Sequence, residues 1–377
     1  GRGTLRDLLD LAAPVAMQAF DKDRPLWELT QVEGLAEGQT GILLKLHHSV
    51  SDGVGLVRMT SSLVERAREP YPNRGGAPHA LLDEPMPAAA HGAFRDALDA
   101  LRYRAGSNLV HTARAAAAVS DWLGRAARHP IDAVDEVRQL AGSLGRLLEP
   151  VHEPLSPLMR HRSLVLHLDA FTVALADLQR VARAGRGTLN DAFVAGVSGG
   201  LRRYHEIHGH SVQELRMTMP INLRHRDDAM RVGNQFSTAR FAVPVGIIDA
   251  AERMQAIHAL VVGQRSELAL PLTDEVAALV GRLPRAVTVA LFGSMLKAID
   301  FVTSNVPGPQ FPVYASGARV LRMFGFGPLT GAAANITLFS YDGDLDIGVS
   351  TDSAAVPDPE VFRECLRAGM NEVLAVA

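Results

Sequence analysis

His47-His48-Ser49-Val50-Ser51-Asp52-Gly53 closes the apolar run Gly41-Ile42-Leu43-Leu44-Lys45-Leu46. Two adjacent histidines, an aspartate four residues past the second and a glycine are the residues a general-base acyl transfer uses at the mouth of a strand. A neutral imidazole titrates near physiological pH and takes a proton from a hydroxyl or thiol that attacks an ester or thioester. Successive strand side chains point to opposite faces, so one histidine faces chemistry and the other faces packing. The carboxylate of Asp52 can fix the turn or pair with a cation without touching substrate. Gly53 either turns the chain at positive φ or lets backbone pass close to another group. A histidine before an Asp-Gly turn is commonly a packed core residue, but the full string at a strand end favours chemistry. No metal site is expected, since adjacent strand positions diverge and no second His/Cys/Glu cluster stands at ligand spacing. Gly53-Val54-Gly55 lacks the third glycine of a dinucleotide cradle.

The elements around this string set its position. Leu56, Met59, Leu63 and Ala67 recur at helical spacing, so a helix begins close to His48. Its N-terminal dipole favours negative charge there, as in a developing oxyanion or a CoA phosphate. From Glu69 to Ala90 the chain fills with Pro, Gly and Ala and reads as a linker. Residues 91–147 read as two or three amphipathic helices with Arg102, Arg104, Arg114, Arg125 and Arg128 on them, either a solvated face or a membrane-surface face. Beyond Pro150, Pro154 and Pro157, strands are expected over Ser163–Leu168, Leu215–Ile221, Gln235–Val245, Phe301–Val306, Val313–Ala315, Val320–Phe324, Ile336–Tyr341 and Leu345–Ser350. Helices are expected over Val173–Ala184, Leu189–His205, Ala250–Leu268 and Asp358–Val376. Strands and helices alternate without a repeating βαβ unit, which gives an α/β fold built on mixed-sheet sandwiches. Two such halves facing each other form a tunnel at their interface, a common place for a pocket.

The chain has 377 residues, 47% hydrophobic and 21% charged, enough for two domains with real cores. A net charge of -3 with no basic stripe argues against nucleic acid as a partner. The single Cys365 forms no internal disulfide; with Phe362, Leu366, Met370 and Val373 it falls on the apolar face of the closing helix, as a core thiol. The most apolar region, Ala286–Leu296, is bounded by Arg285 and Lys297 and is too short to span a bilayer. Asn335-Ile336-Thr337 is a chance sequon within a strand. Arg and Ala in excess of Lys fit a GC-rich, actinobacterial source.

At the histidine string the sequence resembles the H-H-x-x-x-D-G acyltransferases, a superfamily that includes chloramphenicol acetyltransferase and peptide-synthetase condensation domains. Pro25-Leu26-Trp27, Asn190-Asp191, Pro220-Ile221-Asn222-Leu223-Arg224, Gly233-Asn234, Ser304-Asn305-Val306-Pro307-Gly308-Pro309 and Asn335-Ile336-Thr337 narrow it. In that order they are similar to the motif series of the bacterial wax ester synthase/diacylglycerol acyltransferase family. The resemblance implies two chloramphenicol acetyltransferase-like halves and an O-acyltransferase. It would use acyl-CoA as substrate, no cofactor, and diacylglycerol or a fatty alcohol as acceptor. It implies His48 as the base, His47 as its structural neighbour, and Asp52 as a scaffold residue paired with an arginine, here Arg224. Asn190 and Asp191 would open a helix near the tunnel, with Asp191 as support. Asn305 would lie on a turn between the halves, placing substrate or steadying an oxyanion, or serving only a rigid turn.

The expected organisation is residues 1–90 as an N-terminal half, 91–158 as a helical connector and 159–377 as a C-terminal half. The family carries a segment ahead of its Pro-Leu-Trp motif, here already at 25–27, so the first half is expected to be incomplete, or its start to be a separate polypeptide. The expected location is cytoplasmic, peripheral at the inner membrane or a lipid-droplet surface. The alternatives are a condensation-type enzyme using carrier-bound acyl groups, an antibiotic O-acetyltransferase and a non-catalytic lipid-binding protein of the same fold.

Overall fold

The computed structural model describes residues 3–21, 23–50, 53–61, 63–69, 128, 153–222, 236–265 and 298–376, with the side chains of 54, 58, 221, 222, 236–238 and 265 excepted. Gly1–Arg68 and Leu147–Ala377 form one compact unit, and Glu69–Arg146 forms a second. The first and last regions read from the sequence therefore share a unit. The expected linker and amphipathic helices lie outside the described residues apart from 69 and 128.

Helix α1 (Leu5–Met17) starts on a capping box: Thr4 accepts the Asp7 N–H while Asp7 accepts from the Thr4 backbone. Strands β1 (Trp27–Val32) and β2 (Gly41–Leu46) pair antiparallel, Trp27 opposite Leu46, and α2 (Gly53–Thr60) follows. Next come β3 (Leu166–Ala174), α3 (Leu175–Ala184), α4 (Leu189–Ile207), β4 (Glu214–Asn222), β5 (Phe236–Pro244) and α5 (Ala250–Arg265). Then follow β6 (Phe301–Pro307), β7 (Tyr314–Ala315), β8 (Ala318–Arg319), β9 (Ala334–Tyr341), β10 (Asp344–Asp352) and α6 (Pro359–Leu374).

One mixed sheet runs β3-β10-β9-β6-β4-β5, with β4, β6 and β9 parallel and the outer pairings antiparallel. One face carries Leu215, Met217, Phe301, Ile336, Leu338, Leu345 and Ile347 and is sealed by Leu178, Phe193, Leu201, Met254, Ile257, Phe362 and Met370 from α3 to α6. Each such side chain removed from water contributes about 1.5–3 kcal/mol. Helices α4 and α6 cross backbone to backbone, because a Cβ on Gly200 would stand 2.6 Å from the Leu366 Cα. Cys365 is buried in this layer, as expected, and burial raises its thiol pKa. On the other face α1 lies against β3 through Leu9, Ala13 and Leu168, joined by Phe326.

Several boundaries differ from those read in the sequence. Strand β3 takes in Asp169–Ala174, part of which has helical periodicity, because it pairs residue for residue with β10. Helix α2 stops at Thr60 although the apolar spacing continues to Ala67, since Glu65 pairs with Tyr314. Val320–Phe324 forms no strand; it is held by Val320 N–H on the Val313 carbonyl and Met323 N–H on the Asp346 carboxylate. Buried Asp300 accepts the N–H groups of Leu155, Ser156 and Arg216 and so ties the segment entering the sheet to β4, while burial pushes its pKa up.

Candidate active site

Strand β2 delivers the histidines. Its ladder ends at Leu46, one further bond runs from His47 N–H to the Leu26 carbonyl, and residues 48–50 turn, closed by Val50 N–H on the His47 carbonyl. His48 therefore lies in the turn beyond the strand rather than in its pleat, and both histidines are exposed. His47 is held: its Nδ1 lies 2.7 Å from the Ser49 hydroxyl and accepts the Ser49 N–H at 3.2 Å. The Phe20 ring meets it edge-on at 5.8 Å. Lys45 Nζ lies 4.4 Å over the same Phe20 ring and donates to the Gln18 carbonyl at 2.6 Å, which binds the end of α1 to β2. Nothing in the sequence pattern marked Phe20 or Lys45; their signal is contact, not spacing.

Gly53 starts α2. It is absent from the positive-φ residues, and a Cβ there would stand 2.8 Å from Val306 Cγ2, so close approach rather than turn geometry is what this glycine provides. Val306 lies at the carboxyl end of β6, next to Asn305. Asn305 was expected on a turn; it stands within β6, paired with Leu338, because the ladder to β9 runs on to Pro307. Leu338 faces the helical layer, so Asn305 is on that side and Val306 and Gly53 are on the other. Asn305 is exposed.

Asn190 and Asp191 open α4 as expected. Asp191 is buried; it completes a capping box with Thr188 and accepts from His258 Nδ1 on α5 at 2.7 Å. Asn190 donates from Nδ2 to the Met219 sulfur at 3.2 Å, which sets it on the helical side of β4. Asn190, Asn305 and the α2 start thus gather at the carboxyl ends of the parallel strands, the two asparagines on one face and Gly53 on the other. His258 gave no sequence signal, being one histidine on a long helix. Asp52 and Arg224 lie outside the described residues. An open cleft of about 480 Å³ lined by Leu155, Pro157, Ser211, Val212, Gln213 and Glu214 sits at the amino end of β4, the opposite end of the sheet. Among the described residues no group of three or more His, Cys, Asp or Glu stands ready for a metal ion. Among the same residues no helix is long and apolar enough to cross a membrane.

The chain matches the wax ester synthase/diacylglycerol acyltransferase catalytic domain over residues 1–193 and the WS/DGAT C-terminal domain over residues 232–373. A Mycobacterium tuberculosis protein named as a diacylglycerol O-acyltransferase is 38% identical over 377 residues, covering 100% of this chain and 75% of the relative. The solved wax ester synthase/diacylglycerol acyltransferase of Marinobacter aquaeolei VT8 superposes with a TM-score of 0.63 at 19% identity, covering 98% of this chain and 77% of the other. A cyclization-docking bidomain from Sorangium cellulosum superposes at 0.55 with 15% identity, covering 98% and 66%. Both likenesses show the fold, a mixed α/β architecture. With the motif series, the mixed sheet and these matches in agreement, the chain belongs to the wax ester synthase/diacylglycerol acyltransferase family.

Proposed function

We propose that this chain is an acyl-CoA-dependent O-acyltransferase that moves a long acyl group onto the hydroxyl of a diacylglycerol or a fatty alcohol, giving triacylglycerol or wax ester. The observation that carries the proposal is the exposed imidazole of His48 on a braced turn, in a chain 38% identical over its whole length to a protein named as a diacylglycerol O-acyltransferase. His48 takes the hydroxyl proton as the oxygen attacks the thioester carbonyl. The carbon–sulfur bond then breaks, and the imidazolium returns its proton to the departing CoA sulfur. No acyl-enzyme forms, since the thioester is already activated. A positioned base contributes about 10²- to 10⁴-fold. Orientation and oxyanion stabilisation supply the rest, the latter from the α2 N-terminus, while Asn305, on the other face of β6, places substrate. Asn190 contacts substrate at the same end of the sheet, and no cofactor takes part.

Asp52 acts as a scaffold paired with Arg224. Asp52→Asn should lower the melting midpoint together with the rate, whereas a carboxylate acting on substrate would lower the rate alone; a melting scan beside a rate measurement separates them. The exposed apolar face formed by Trp27, Leu29, Ile42 and Leu44 supports peripheral contact with the inner membrane or a lipid droplet on the cytoplasmic side. Flotation with phospholipid vesicles tests that contact, and protein left wholly at the bottom of the gradient would refute it.

The decisive experiment is incubation with palmitoyl-CoA plus hexadecanol or diacylglycerol, with products separated by thin-layer chromatography. Ester is expected from at least one acceptor. Release of free CoA without ester, or no turnover with either, would sink the assignment. The carrier-bound alternative gains nothing from the Sorangium likeness, which at 15% identity speaks for the fold alone.

A further inference from the structure

The Asp191–His258 pair stands outside the histidine turn and has a geometry that capping alone does not need. One oxygen of Asp191, Oδ2, accepts the Thr188 N–H at 2.7 Å, the Thr188 hydroxyl at 2.8 Å and His258 Nδ1 at 2.7 Å. The Thr188 N–H on Asp191, with the Asp191 N–H on the Thr188 hydroxyl, already completes the helix cap. The third comes from a different helix and fixes the His258 tautomer, since a carboxylate only accepts. Asp191 is 1% exposed and His258 39% exposed, so a buried carboxylate is tied to a ring reaching the surface. Asn190, the neighbour of Asp191, is the residue whose amide meets β4 at the carboxyl end of the parallel strands.

We infer that His258 is a positioning residue: through Asp191 it locks the first turn of α4 and so holds Asn190, whose Nδ2 rests on the Met219 sulfur, in the orientation in which it meets substrate. The inference rests on the acyltransferase reading and on the substrate role of Asn190. It concerns the pair Asn190–His258 rather than the base His48. A ring that merely packed α5 on α4 would act on stability alone. A positioning ring acts on substrate affinity through Asn190, and its effect disappears once Asn190 is gone.

The test uses the whole chain, with palmitoyl-CoA KM and kcat and a melting midpoint for the wild type, His258→Ala, His258→Asn, Asn190→Ala and the double variant Asn190→Ala/His258→Ala. His258→Ala should raise KM about 3- to 10-fold, the worth of one hydrogen bond, with kcat nearly unchanged. His258→Asn, whose Nδ2 reaches where the ring Nδ1 does, should restore the wild-type KM. The double variant should be no worse than Asn190→Ala, because the two residues act as one unit. An unchanged KM in His258→Ala, or a double variant whose loss is the product of the two single losses, overturns the inference while leaving the acyltransferase reading intact. A wild-type chain that forms no ester overturns both. If His258→Ala fails to fold, His258→Leu, which fills the same space and carries no donor, takes its place: a raised KM that His258→Asn does not show upholds the inference, and a wild-type KM in His258→Leu overturns it.

Discussion

The β9–β10 hairpin and the β1–β2 ribbon are built from similar numbers of residues and treat water in opposite ways. Along β9 and β10 nearly every side chain is buried, because helices seal one face and further chain covers the other. On β1 and β2, Trp27, Leu29, Ile42 and Leu44 lie on one exposed face, and the buried share is small. A two-stranded ribbon of this kind is marginal by itself. It is braced instead at discrete points: Gly41 against Leu8, Lys45 over Phe20, and Gly53 against Val306. Stability is concentrated in the six-stranded sheet, and the proposed chemistry sits on the element with least of it, the low-stability end from which active-site loops are drawn.

If this division is right, substitutions in the two regions should separate rate from stability. The largest effect on rate is expected from His48→Ala, a loss of about 10²- to 10⁴-fold in ester formation. Its melting midpoint should stay at the wild-type value and calorimetry should still show palmitoyl-CoA binding; full activity would end the base assignment. The mirror case is Phe362→Ala. Phe362 is fully buried and meets the Tyr204 ring edge-on at 5.0 Å, so truncation should cost about 3–5 kcal/mol of stability. In denaturant titrations the midpoint should fall, while kcat of the folded fraction stays within about twofold, as stability and chemistry occupy different regions. A smaller effect belongs to the brace between the regions. Gly53→Ala pushes a methyl into Val306 and should cost about 1–3 kcal/mol, read as roughly tenfold in kcat, with Val306→Ala restoring the rate in the double variant. A Gly53→Ala enzyme of wild-type rate would show that this contact does not set the turn.

The smallest effect is a slope in pH. Burial holds the His205 imidazole below its ordinary value of 6.5, with Nδ1 on the Leu201 carbonyl and Nε2 against the Ser156 hydroxyl. The unfolded chain therefore binds a proton before the folded one as pH falls through about 6.5. The neutral ring's contribution is complete above that value and declines below it, toward the lower folded pKa. Melting midpoints measured from about pH 7 down to about pH 5 should fall less steeply in His205→Gln than in the wild type. Equal slopes would remove His205 from the acid response.

The sequence made the histidine turn legible because its chemistry is local: an apolar strand, a polar string and a glycine within thirteen residues. Helix α4 was legible for the same reason, its capping box being written in Thr188 and Asp191. What escaped depended on distant partners. Residues 169–174 become strand only because β10 arrives to pair with them, and α2 ends where Tyr314 claims Glu65. Asn305 sits within a Pro- and Gly-rich string that favours a turn, yet β9 draws it into the ladder. Phe20, Lys45 and His258 escaped because a brace leaves no periodic trace; each matters through neighbours far along the chain.

The pairing of β3 with β10 has a consequence for synthesis. Thr172 donates to Asp346 across 174 positions, and every rung of that ladder joins residues comparably far apart. A ribosome translating this chain exposes β3 long before its neighbour exists, with α3 and α4 already made and only part of their apolar surface matched. Chain growth to residue 352 must precede closure of the sheet, so assembly is slow by topology. Until then an unpaired strand edge is open to other nascent chains. Holdase chaperones acting in that interval should affect the yield of folded protein more than any later treatment of it.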